Sequence, residues 1–103
     1  MEKVYTVLRF TDTTGVCLPP EWSDAHNVRG KPVYCFLNSK NKTVTYRLTN
    51  TQKAGEEYVN FYRPVFRGES STAVITLPRG FAEPKQTLVC AMNADESLTY
   101  RIQ

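Results

Sequence analysis

The sequence predicts a mostly β fold assembled from two tandem copies of one β-β-(short α)-β-β unit. Three observations carry this. The stretch from Val33 to Leu48 recurs as Leu88 to Ile102 with one residue deleted at the turn, including a shared Thr-Tyr-Arg phrase at 45–47 and 99–101. Upstream of each copy stands a second matching phrase in the same order, Gly15-Val16-Cys17-Leu18-Pro19 and Val74-Ile75-Thr76-Leu77-Pro78. Both hairpin phrases alternate apolar and polar residues with a period of two, the spacing of strands with one buried face. A half of about fifty residues is too small to close a sizeable core alone. The expectation is therefore a single domain over 1–103, with repeat one at 1–48, a linker at 49–57 and repeat two at 58–103.

Each element has a local reason. Lys3 to Thr11 is rich in Val, Tyr, Thr, Leu and Phe, and Asp12-Thr13-Thr14-Gly15 is turn chemistry, so a strand, a tight loop and a second strand follow. The second strand stops at Leu18-Pro19-Pro20. Proline suits the first turn of a helix and Glu21 favours its positive end, so Pro20 to His26 forms a short helix and Gly30 closes the connection. Val33, Cys35 and Leu37, then Val44, Tyr46 and Leu48 across the Asn38 to Lys42 turn, form the inward row of a hairpin; Leu88, Cys90, Met92, Leu98, Tyr100 and Ile102 repeat it. Thr49 to Glu57 is polar and aperiodic. Tyr58 to Phe66 opens the second unit as a strand in which Pro64 removes a ladder donor and implies an edge or a bulge. Gly68 to Ser71 is its loop, and Gly80 and Pro84 leave room for at most one helical turn after the second Leu-Pro.

Composition limits the chemistry. The 103 residues carry 13 Lys and Arg against 10 Asp and Glu, a formal net charge of +3. No segment approaches the roughly 20 apolar residues of a spanning helix, and the first residues lack a leader pattern, so a cytoplasmic location is expected without membrane insertion. Cys17, Cys35 and Cys90 are odd in number and sit in apolar runs, as small buried residues do. His26 is the only histidine and no carboxylate stands in a recognisable relation to it or to a cysteine, so no enzyme is expected. No ligand spacing suggests a metal, and no glycine-rich loop suggests a phosphate cofactor. Arg47 and Arg101 hold equivalent places, facing opposite to Tyr46 and Tyr100. As a pair they could grip phosphate or carboxylate; the simpler expectation is two outward strand residues whose stems cover their neighbours.

The phrase small-apolar-apolar-Leu/Ile-Pro followed by a helix, here Gly15 to Trp22 and Ala73 to Phe81, resembles the swapped-hairpin barrels of AbrB, MazE and SpoVT type. The resemblance covers most of both halves. In that family two such units from two chains exchange hairpins, so a chain carrying both looks like a single-chain version of the dimer, a pseudo-two-fold swapped-hairpin β-barrel. A cradle-loop barrel such as the double-psi form is the related alternative. What the resemblance implies is duplex-DNA binding by a transcription regulator, through basic residues on the first-strand loops. Arg9 matches a basic position on the first strand, Arg67 lies near the corresponding place in the second copy, and Arg79 follows the second Leu-Pro; Lys40 and Lys42 on the first hairpin turn extend the set. The state implied is a pseudo-dimeric monomer or a homodimer.

A second reading uses the same barrel as a protein-binding module, an antitoxin or an inhibitor of a host enzyme. Its anchors would be Trp22, Phe61, Tyr62 and Phe66, since aromatic residues dominate protein interfaces. The basic Lys40-Asn41-Lys42 turn opposite the acidic Asp95-Glu96 turn shows that the two ends have diverged. That divergence suits an asymmetric target better than a palindromic site.

Overall fold

The computed structural model describes residues 2–66 and 72–103. In chain order it contains β1 (Glu2–Thr6), β2 (Leu8–Arg9), β3 (Thr14–Cys17), α1 (Pro20–His26), β4 (Val33–Asn38), β5 (Thr43–Arg47), β6 (Glu57–Tyr62), β7 (Val65–Phe66), β8 (Ala73–Thr76), β9 (Thr87–Met92) and β10 (Leu98–Ile102). Two antiparallel sheets result. The larger has the strand order β1-β9-β10-β5-β4-β6 and the smaller β2-β3-β8-β7.

The two sheets do not close into the expected barrel, and the reason lies at two corners. The strand expected over Lys3 to Thr11 breaks at Val7, whose N–H donates to the Gln86 carbonyl (2.8 Å) and whose carbonyl accepts from the Lys85 N–H (3.0 Å). Val7 therefore spends its backbone groups on the 83–86 loop instead of a ladder. The matching break between β6 and β7 falls at Arg63 and Pro64, where proline has no N–H to offer.

Pairing in both sheets crosses between the halves of the chain. β1 pairs with β9 from the second half and β6 with β4 from the first, so exchanging the two halves leaves both strand orders unchanged. At the centre of the larger sheet Thr45 stands opposite Thr99, their hydroxyl oxygens 3.1 Å apart; at the centre of the smaller, Val16 stands opposite Ile75. The side chains cross in the same manner. Tyr46 donates its hydroxyl to the Thr76 carbonyl and Tyr100 donates to the Cys17 carbonyl, each at 2.7 Å, while the two fully buried rings meet edge to face at 5.7 Å. Each bond contributes about 1 kcal/mol net, and burial without it would cost more.

Around these tyrosines the core gathers Val16, Leu18, Ile75, Leu77, Leu88 and Leu98. Cys35 and Cys90 are buried within it, and burial pushes their thiols up to about 12 and about 11. Glycine is required at 15, because a Cβ there would stand 2.3 Å from the Phe10 ring and 2.9 Å from the Ile75 carbonyl. α1 begins at Pro20 as expected and ends at Asn27, whose left-handed backbone (φ 49°) caps it. After the second Leu-Pro no helix forms; Gly80 takes φ 81° and the chain turns. No helix among the described residues is long and apolar enough to cross a membrane.

Candidate functional site

β6 ends the larger sheet, so among the described residues no strand lies on one side of its backbone. Its residues Glu57 to Phe61 are all exposed, with Tyr58, Val59 and Phe61 presenting large apolar side chains and Val65 following in β7. The register against β4 shifts between Cys35 and Phe36: Cys35 pairs with Asn60 and Phe36 with Tyr58, leaving Val59 as the extra residue of a bulge. Tyr34 on β4 lies 6.5 Å from Tyr58 and 6.3 Å from Phe61, ring to ring, and Phe36 lies 5.7 Å from Tyr58. The Arg63 guanidinium stands 5.4 Å from the Phe61 ring and that of Arg47 5.1 Å from Phe36. This makes an aromatic strip with an arginine at each end.

Arg47 corrects an expectation. It is 9% exposed instead of facing outward, and donates to both carboxylate oxygens of Glu56 (2.5 and 2.8 Å) and to the Thr51 carbonyl (3.1 Å). Those hydrogen bonds hold the Glu56 carboxyl below its ordinary value. The segment read as a linker is thereby bound to the sheet ahead of β6, which begins one residue earlier than the expected unit boundary at 58. Arg101, in the equivalent phrase, is exposed and reaches only Glu2, at 3.7 Å. The two arginines do not form one gripping pair.

The aromatic anchors separate on inspection. Phe61 is 42% exposed and available. Trp22 is not an exposed anchor: it is 4% exposed, its ring lies 5.2 Å from the His26 ring at a tilt of 55°, and it donates its indole N–H to the Glu96 carbonyl at 2.7 Å. A tryptophan beside a proline-started helix is a core residue here because α1 lies against the β9–β10 turn. Tyr62 is half-buried on the core, which raises its hydroxyl pKa, and Phe66 lies under the Arg29 guanidinium at 4.0 Å. Tyr58, Val59 and Tyr34 were not singled out from the sequence. The stretch Tyr58-Val59-Asn60-Phe61-Tyr62 was a signal, since a strand that is apolar on both faces except at Asn60 belongs either in deep burial or at an adhesive edge.

The basic candidates fall into two places. Lys42 and Arg79 line one groove of about 330 Å³ together with Leu37, Pro78, Phe81 and Ile102. Lys40 is on the same β4–β5 turn and exposed. Arg9 lines a different groove, beside Glu83 and Lys85. By register Arg9 faces Thr14 as Phe66 faces Ala73, so the counterpart of Arg9 is Phe66 and not a basic residue. Arg67 and the loop through Ser71 lie outside the described residues. Among those described, Lys3, Arg47, Lys53 and Arg101 are held by Glu21, Glu56, Asp95 and Glu2, whereas Arg9, Lys40, Lys42 and Arg79 have no ion-pair partner.

Comparison of the chain with protein-family models, with curated proteins and with solved structures finds no match.

Proposed function

We propose that this chain is a non-catalytic protein-binding module that takes its partner along the β6 edge. The observation that carries the reading is the run of exposed residues on an end strand, Tyr58, Val59 and Phe61 among them. A partner strand laid against such an edge gains main-chain hydrogen bonds, while the aromatic strip supplies side-chain specificity. The opposite edge is less inviting. On β1, Lys3 pairs with Glu21 of α1 and Glu2 with Arg101, so charged contacts occupy that side.

The exchange of pairing between the halves supports, as architecture, a single-chain form of the swapped-hairpin unit with two tandem copies. That likeness, with Arg9, Lys40, Lys42 and Arg79 lacking ion-pair partners among the described residues, favours duplex-DNA binding by a regulator as a second reading. It ranks below the first because the cations lie in separate grooves and are not repeated between the halves.

A photo-crosslinking residue at Val59 should trap a protein in the cells that make this chain, and the same residue at Val4 should not. The trapped protein, purified, should bind at least about tenfold more weakly to Phe61→Ala, a loss typical of an interface anchor. Duplex binding that falls steeply with salt, is lost in Arg79→Ala and is indifferent to Phe61→Ala would replace this reading with the DNA one.

A further inference from the structure

We propose that the groove between the β4–β5 turn and residues 78–81 binds a short acidic segment of a partner protein that carries a tryptophan. The chain itself shows what fills this position in its other half. Both halves place an aromatic residue four positions after the leucine of Leu-Pro, Trp22 after Leu18 and Phe81 after Leu77. In the first half that residue rides on α1, is buried, and donates its indole N–H to the Glu96 carbonyl. The counterpart of Glu96 is Lys42: each lies three residues before the threonine of the central Thr45–Thr99 pair, and each has a left-handed backbone, φ 71° and 57°.

In the second half the matching parts are incomplete. Gly80 at φ 81° replaces the helix, and the Phe81 side chain, unlike an indole, has no N–H to offer the Lys42 carbonyl. Leu37 and Ile102 line the space that remains, and Ile102 is 39% exposed; their counterparts Met92 and Leu48 pack against the core. The floor is apolar, and among the described residues the rim carries Lys42 and Arg79 without ion-pair partners and no carboxylate lines the groove. An apolar anchor flanked by acids complements that lining, and the segment seated in the equivalent position is of this kind, with Glu21 and Asp24 beside Trp22. This site is separate from the β6 edge and stands whether or not that edge is used.

The test uses the intact chain, isotope-labelled for amide NMR, and a synthetic peptide copying residues 18–28. Saturable shifts are expected at Leu37, Lys42, Phe81 and Ile102. Replacing the peptide tryptophan by alanine, or making the exposed pair Lys42→Glu and Arg79→Glu in the protein, should each weaken binding at least about tenfold, with the spectrum confirming an unchanged fold. Phe81→Trp should fill the groove from within and also weaken the peptide, whereas Phe61→Ala should leave it unaltered. The proposal is overturned by the absence of saturable shifts up to about 1 mM peptide, by shifts at Tyr58 and Phe61 instead, or by indifference to the charge reversal.

Discussion

Arg47 and Arg101 stand at the same place in the same Thr-Tyr-Arg phrase, and their substitution by alanine should have very different effects. Arg47→Ala removes two charge-assisted bonds to Glu56 and one to the Thr51 carbonyl. It leaves the Glu56 carboxylate, whose side chain is only 11% exposed, without its counter-charge. Breaking a buried pair costs about 3–5 kcal/mol; the low end, about 3 kcal/mol, applies because both side chains keep an exposed margin. Arg101→Ala loses a 3.7 Å contact between groups at least half exposed, a loss of about 0–1 kcal/mol. Urea denaturation read by Trp22 fluorescence measures both, and for a chain of this size the first should lower Tm by more than about 10 °C. The difference should also depend on pH. The folded pKa of Glu56 lies below its unfolded value of 4.5, so the pair contributes fully above that value and loses its contribution as pH falls through the folded one. Wild type and Arg47→Ala should therefore converge in acid. Equal losses for the two arginines at neutral pH, within about 0.5 kcal/mol, would refute the assignment of Arg47 to a buried anchor.

Two other outcomes follow from the crossed core. Tyr46→Phe and Tyr100→Phe should each cost about 1–3 kcal/mol by denaturant titration, and by similar amounts, because each strips one buried carbonyl of its donor; a clear inequality would show that the two bonds are not equivalent. Cys35 and Cys90, with thiols raised by burial, should resist a thiol reagent at neutral pH until denaturant is added, while the half-buried Cys17 reacts first, as mass spectrometry of labelled peptides can follow.

Much of the local structure was legible because it is local chemistry. The Pro-Pro-Glu start of α1, the two hairpins, and the inward rows that bury Cys35, Cys90, Tyr46 and Tyr100 follow from turn residues and a period of two. What was not legible depends on which strands become neighbours. Val7 is apolar and in phase, and nothing in its side chain announces that its backbone will be taken by the 83–86 loop. Arg47 looked like an outward strand residue because its partner, Glu56, lies in a polar stretch with no period to read. Trp22 looked like a surface anchor because a short helix gives too few turns to define a buried face. Of the candidate cations, Lys42 and Arg79 converge only because the hairpin turn of one half meets the Leu-Pro segment of the other.

The position of β10 has a consequence for how the molecule is made. Residues 98–102 form an interior strand of the larger sheet, seated between β9 and β5, and β5 was synthesised some fifty residues earlier. Until those residues leave the ribosome, β5 lacks its inner neighbour, β9 has only β1, and the hydroxyl of Tyr100 is not yet available to the Cys17 carbonyl. From the synthesis of β5 until that of β10 the inner margin of β5 stays open, and β10 then joins segments distant in sequence, the pattern of a slow-folding chain. Removal of residues 98–102 would split the larger sheet down its middle, where the loss of an outer strand would only narrow it.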